Sequence, residues 1–326
     1  MKSTSMKKSL CLVAVGAAMS LCADPVKVIF DTDMYTDIDD AGALACLHAL
    51  ADAGECEILA TLACTRDCRS VAVCEAINAH YGRPDIPVGC TKGMGVCRAN
   101  DPKGVARNEQ FYGPLVAKYA KSVNYPDSSD APDALDVYRQ VLSAQPDHSV
   151  VICSVGFLTN LRRLVEAEPD LVARKVKLWV AMACRYPTGR EYNSGTDWES
   201  SKIALERWPT PVVFTDFQYG MDCFAGRAVA ESDLTGSPVA DVFRDNVASY
   251  NGKGGRSAWD ETAVLIAVRG TDHLFNVERG TYRMTGEAGE DVWTADEKNG
   301  PHRRVVEKVS KKEVGRIIDE LMCRGH

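Results

Sequence analysis

The sequence lacks most of the short motifs that would settle a function outright. It has no C-x-x-C pair, so neither a zinc ribbon nor a thioredoxin-type redox site is encoded in the usual spacing. Glycines are present at 252, 254 and 255, but without the G-x-x-x-x-G-K-[ST] spacing of a phosphate-cradling loop. No basic stripe runs through the chain and the formal net charge is −7, which argues against nucleic acid as a partner, because phosphate neutralisation needs clustered Lys and Arg. There is no internal repeat and no low-complexity segment. Beyond the N-terminus, no apolar run is long enough to span a bilayer.

What is present begins with a leader-like segment. Lys2, Lys7 and Lys8 precede an apolar run from Leu10 to Leu21, followed by Cys22-Ala23 and the polar Asp24-Pro25. This is the layout of a secretory signal peptide over residues 1–23, so residues 24–326 are expected to form one exported domain, periplasmic or secreted, without stable membrane insertion. Of the 13 cysteines, Cys11 and Cys22 fall in the leader. The spacings Cys64–Cys68 and Cys90–Cys97 permit bridges, whereas Cys46, Cys74 and Cys153 lie in apolar runs and read as buried small hydrophobes.

Along the domain, short apolar runs alternate with helical patterns. Strands are expected at 26–30, 57–63, 86–89, 149–155, 176–183 and 211–215, with helices at 41–51, 70–81, 132–144, 238–250, 260–268 and 311–322. That alternation is the signature of an α/β fold: an open, mostly parallel sheet flanked by helices, with a small antiparallel C-terminal addition between Thr281 and Val306. The pattern is lost from Cys90 to about Ala131, apart from a modest helical stretch between Phe111 and Ala120. A connection of that length in a compact domain reads as a functional loop or lid.

The densest chemical signal follows the first strand. Asp31, Asp33, Asp37, Asp39 and Asp40 place five carboxylates within ten residues. Like charges this close repel, and burial raises their pKa values unless a cation or hydrogen-bond donors hold them ionised. The carboxyl end of a strand in an open α/β sheet is also where ligands bind. Composition and location together therefore indicate a metal-assisted site for a small neutral or cationic ligand.

Four motifs in chain order then resemble the nucleoside hydrolases: Asp31-Thr-Asp33 with Asp39-Asp40, Gly156-Phe-Leu-Thr-Asn160, Glu191-Tyr-Asn193 followed by Asp197, and Trp259-Asp260 opening a helix. The resemblance runs from about residue 26 to 270. It implies Ca²⁺-dependent hydrolysis of the N-glycosidic bond of a small-molecule nucleoside, and leaves room for a homo-oligomer. Carried over by position, it makes Asp33, Asp40, Asp260 and the backbone carbonyl of Val155 the metal ligands. Hard oxygen donors suit Ca²⁺, and Mg²⁺ is also compatible. Asp33 would double as the general base toward water, while Asp39, Glu191 and Asn193 would hold the ribose hydroxyls.

Three departures from the family pattern bear on the substrate. Trp259 stands where many inosine-uridine-preferring members carry a histidine that protonates the leaving base. Asp67 occupies a substrate-facing position often held by asparagine, and Arg185 replaces a sugar-facing asparagine. Among the six histidines, His302 is a weak candidate for the acid on loop position alone. Two other readings fit parts of the pattern: an exported nucleoside- or sugar-binding protein without turnover, and a haloacid-dehalogenase-type phosphatase. Tyr35 and the Asp39-Asp40 pair fit the phosphatase poorly.

Overall fold

A computed structural model describes residues 24–97, 99–250 and 255–324. The leader expected over residues 1–23 lies outside the described residues. Twelve strands are formed: β1 (Val26–Thr32), β2 (Cys56–Ala63), β3 (Val88–Cys90), β4 (Val150–Ser154), β5 (Val176–Met182), β6 (Thr188–Gly189), β7 (Val212–Thr215), β8 (Phe224–Ala225), β9 (Arg256–Ser257), β10 (Phe275–Met284), β11 (Asp291–Ala295) and β12 (His302–Glu307). The helices are α1 (Asp39–Asp52), α2 (Ser70–His80), α3 (Pro102–Tyr119), α4 (Ala134–Ala144), α5 (Thr159–Ala167), α6 (Pro169–Lys175), α7 (Tyr192–Thr196), α8 (Trp198–Arg207), α9 (Phe217–Gly220), α10 (Arg227–Glu231), α11 (Pro238–Tyr250), α12 (Trp259–Arg269) and α13 (Lys311–Met322).

Ten strands make one sheet in the order β3-β2-β1-β4-β5-β7-β12-β10-β11-β6, parallel from β3 to β12 and antiparallel beyond. The antiparallel addition thus continues the main sheet, because β12 pairs in parallel with β7. A separate two-stranded sheet joins β8 and β9. Central strands are buried on both faces, as their unbroken apolar runs require. Val28 and Phe30 of β1 pack into the core on one face with α1 and α12, while Ile29 joins Ile152, Trp179 and Phe214 on the other. α1 is buried nearly all round from Asp39 to Leu50, which its Ala-, Leu- and Cys-rich sequence permits.

The chain runs from β1 to β2 on one side, and later crosses to β4 on the other. The point between β1 and β4 is therefore the topological switch point, where a crevice opens at the carboxyl ends of the strands. Across the segment with no clear sequence pattern, α3 is longer than expected. It starts at Pro102 because Asp101 caps it, accepting from Gly104 N at 3.0 Å, and proline suits a first helical turn. All eleven cysteines among the described residues are free, including Cys64, Cys68, Cys90 and Cys97. No helix among the described residues is long and apolar enough to cross a membrane.

Candidate active site

β1 delivers Asp33 to the switch point, and a tight turn returns the chain into α1. Met34 adopts φ of 38°, a left-handed conformation that a side chain with Cβ rarely takes. The turn is held by the acids around it: Met34 N donates to Thr32 Oγ1 at 3.0 Å and to Asp40 Oδ1 at 3.1 Å, and the Thr32 hydroxyl donates to the same Asp40 oxygen. Asp39 and Asp40 form the first turn of α1, where the helix N-terminus favours negative charge. Just beyond β4, Val155 N donates to Asp31 O at 2.8 Å, tying the end of β4 to the end of β1. The next residue must be glycine, since a Cβ on Gly156 would stand 2.4 Å from Asp33 N.

Two more elements complete the basin. α12 contributes Asp260 from its first turn. Glu191 caps α7, accepting from Asn193 N and Ser194 N, each at 2.8 Å, and Asn193 Nδ2 donates to Val155 O at 3.1 Å and Met182 O at 3.3 Å. The result is a cavity of about 290 Å³ whose wall includes Asp33, Asp39, Val155, Glu191, Asn193, Trp259 and Asp260. The chain positions 33, 155, 193 and 260 thus meet at one place, although four separate segments supply them.

Asp40 does not line the cavity: it is fully buried, and its Oδ2 has no hydrogen-bond partner. Burial, and then the charges of Asp40, Asp37 and Asp39, push Asp33 well above the usual carboxylate range. Asp260 is pushed up in the same way by burial and by Asp39 and Asp40. Asp39 and Asp40 also titrate high, chiefly through burial and the charge of Asp37. An orphaned buried carboxylate oxygen, surrounded by acids that resist ionisation, is a donor set that fits a hard cation. The all-oxygen chemistry suits Ca²⁺ or Mg²⁺ alike. Asp37, Asp39 and Asp40 bring one ligand atom each within 4.8 Å of one another.

Asp67 is not on the cavity wall. It turns inward at 2 % exposure and caps its own loop, accepting from Arg69 N at 2.9 Å. His302 is not in a loop either: it begins β12, buried against Phe214, with Nδ1 accepting from Tyr282 N at 3.0 Å. Among the described residues, no histidine lines the cavity. Trp259 does line it, and its indole N–H is committed to Phe217 O at 2.9 Å. Arg185 stacks on the Phe217 ring, its guanidinium carbon 4.5 Å from the ring centroid.

Several wall residues carry no strong sequence signal. Tyr192 sits between two predicted site residues, and Phe217 follows the carboxyl end of β7, so position alone could have flagged both. Arg107 lies in α3, the segment read as a lid, which does lie over the acidic turn: Asn108 Nδ2 donates to Met34 O at 3.0 Å and Tyr112 OH to Asp37 O at 2.7 Å. Tyr192 OH donates to Asp101 Oδ2 at 2.8 Å, fastening the start of α3 to the far wall. Arg256, from β9, pairs with Asp37 and with Asp39 at 3.0 Å, and had no sequence signal at all.

Comparison with known proteins gives a consistent answer. The family model described as inosine-uridine preferring nucleoside hydrolase matches residues 28–316. Among solved structures, the chain is similar to the inosine-uridine preferring nucleoside hydrolase from Bacillus anthracis, with TM-score 0.64, 16 % identity and coverage of 92 % of this chain and 98 % of that one. The purine-preferring ribonucleoside hydrolase from Gardnerella vaginalis gives TM-score 0.67 at 16 % identity, over 92 % and 98 % of the two chains. The type III effector protein XopQ complexed with adenosine diphosphate ribose gives TM-score 0.72 at 16 % identity, over 92 % and 94 %. At these identities the structural likeness speaks for the fold. No curated protein sequence matches significantly.

Proposed function

Because this chain belongs to the inosine-uridine preferring nucleoside hydrolase family, we propose that it hydrolyses the N-glycosidic bond of ribonucleosides, or of a related N-riboside, with Asp33 as general base. The observation that carries this reading is that Asp33, Asp260 and Val155 line one cavity with Glu191 and Asn193, and that the buried Asp40, whose Oδ2 has no partner, acts by its charge on both Asp33 and Asp260. Asp33, Asp40, Asp260 and Val155 O would hold Ca²⁺, or Mg²⁺. That ion supplies Lewis acidity and keeps the carboxylates ionised.

The chain's own groups divide the remaining work. Asn193 gives its amide N–H groups to Val155 and Met182, so its Oδ1 is left to accept from a sugar hydroxyl. Asp39 and Glu191 complete the ribose clamp. As the C1′–N bond breaks, its electron pair leaves with the base and positive charge builds on the sugar ring, which the surrounding carboxylates stabilise. Water adds to C1′ and its proton passes to Asp33. Orientation of the hydroxyls holds C1′ in line for that attack.

Tyrosine can serve as an acid, but the wall's Tyr192 hydroxyl already donates to Asp101 Oδ2. The Trp259 N–H is occupied, and arginine does not release a proton at ordinary pH. The reading therefore favours leaving groups that depart without a proton from Trp259, with the Phe217–Trp259 pair as an aromatic wall. The leader-like layout of residues 1–23 makes an exported location part of the same proposal.

The test is release of free ribose from a panel of nucleosides, with and without chelator. The expected result is chelator-sensitive release that falls by about 10³-fold in Asp33→Asn. The Trp259 substitution favours one second reading, a binding protein on this fold, and tight nucleoside binding without turnover would establish it. Phosphate release from monoesters would point to the phosphatase.

A further inference from the structure

Arg256 reaches the acidic cluster from β9, more than two hundred positions away in the chain. Its side chain is only 7 % exposed, Nη2 donates to both Asp37 and Asp39, and the guanidinium carbon stands 5.2 Å from the centre of the Trp259 ring. Asp37, Asp39 and Asp40 together look like a cation site, yet two of the three already share a cation that belongs to the protein. We propose that Arg256 is a positioning residue that keeps Asp37 and Asp39 out of the metal's ligand set and aims Asp39 at the sugar. This rests on the N-riboside reading above.

The physical argument is one of competition. A hard cation such as Ca²⁺ accepts six to eight oxygens in flexible geometry, so it would recruit any carboxylate within reach. A guanidinium is permanently charged and its planar fork fixes the carboxylates it binds. Arg256 thereby separates two jobs that the sequence crowds together: Asp33, Asp40 and Asp260 for the ion, Asp39 for the substrate. It also links the clamp to the Trp259 wall, because the same guanidinium touches both.

Removing Arg256 should move metal and sugar in opposite directions, which a loss of folding would not do. Ca²⁺ binding is measured by calorimetry on the full chain, and KM and kcat on any riboside the wild type turns over. Arg256→Gln should bind Ca²⁺ about tenfold more tightly, since a neighbouring positive charge is gone. It should raise KM by about tenfold, more than it lowers kcat. Arg256→Lys keeps the charge without the fork, so Ca²⁺ affinity should return to the wild-type value while KM recovers only in part. Weaker or unchanged Ca²⁺ binding in a folded Arg256→Gln would overturn the proposal, as would full rescue of KM by lysine. If Arg256→Gln does not fold, the double variant with Asp37→Asn removes one charge of each sign. Near-wild-type Ca²⁺ affinity with a raised KM then supports the proposal, and a wild-type KM overturns it. Should the wild type bind Ca²⁺ but hydrolyse no riboside, the proposed function fails separately, and the Ca²⁺ titrations still decide whether Arg256 limits the ligand set.

Discussion

Asp33 and Asp216 hold equivalent places in the sheet, each the first residue beyond the carboxyl end of a parallel strand, and both are buried. Their surroundings are opposite. Asp216 accepts from Tyr219 N at 3.1 Å on one oxygen, and from Arg304 Nε at 2.8 Å and Tyr282 OH at 3.0 Å on the other. Asp33 instead feels the charges of Asp40, Asp37 and Asp39, all of its own sign, and one oxygen of Asp40 has no partner. A buried acid supplied with donors holds a fold together, whereas one left among like charges awaits a cation. Asp31 stands between these cases: Tyr138 OH and Asn160 Nδ2 satisfy one oxygen while the other is orphaned.

The contrast predicts that one chemical change will have opposite signs in the two places. Asp216→Asn leaves the buried Arg304 with Glu278 as its remaining carboxylate partner, and should cost about 3 kcal/mol of folding stability by denaturant titration. The effect should reach the cavity, because Asp216 caps α9, Phe217 of that helix takes the Trp259 N–H, and Gly220 is packed where a Cβ would meet Trp259 Cδ1 at 2.1 Å. Near-normal stability in Asp216→Asn would erase the distinction.

Asp40→Asn is the converse. In chelator, at a pH above about 8 where Asp40 ionises, it removes a buried charge held among like charges, so the metal-free protein should gain about 1 kcal/mol there. If Ca²⁺ raises the Tm of the wild type, as the proposed function expects, the same variant should lose that rise, since ligand binding stabilises only where the site survives. A destabilised apo variant would mean that Asp40 serves the fold as Asp216 does.

Much of the frame was legible because apolar periodicity reports burial directly. The expected strands at 57–63 and 176–183 match β2 and β5 within a residue, and the helices expected at 70–81 and 260–268 match α2 and α12 as closely. The site was legible in part because carboxylates clustered after a strand have few other uses. What stayed hidden depended on direction or distance in space. Nothing in the sequence says that Asp67 bonds its own loop, or that Arg256, beside a glycine-rich stretch, reaches back over two hundred positions to Asp39. His302 looked like a loop residue because its strand is short and flanked by Gly300-Pro301. Pairing with both β7 and β10 makes it core.

That misplaced histidine gives the smallest prediction and extends the comparison to pH. Burial pushes His302 down to about 4 from an ordinary value of 6.5, and it does the same to His48. Between those values the unfolded chain takes up a proton that the folded chain refuses. Stability is therefore fully present above about pH 6.5 and declines as pH falls toward 4. His302 alone should account for about 1 kcal/mol lost between pH 7 and 5.5. In His302→Gln the side-chain oxygen can still accept from Tyr282 N but cannot titrate, so the decline should be roughly halved, with His48 supplying the rest. The acids of the cavity move the other way in the metal-free protein: burial holds Asp33 and Asp260 above their ordinary range, so their contribution improves as pH falls toward that range and is complete below it. Measuring the slope in chelator and again in Ca²⁺ separates the two regions. The histidine part should be unchanged by the ion, and an equal slope for wild type and His302→Gln would remove His302 from the core assignment.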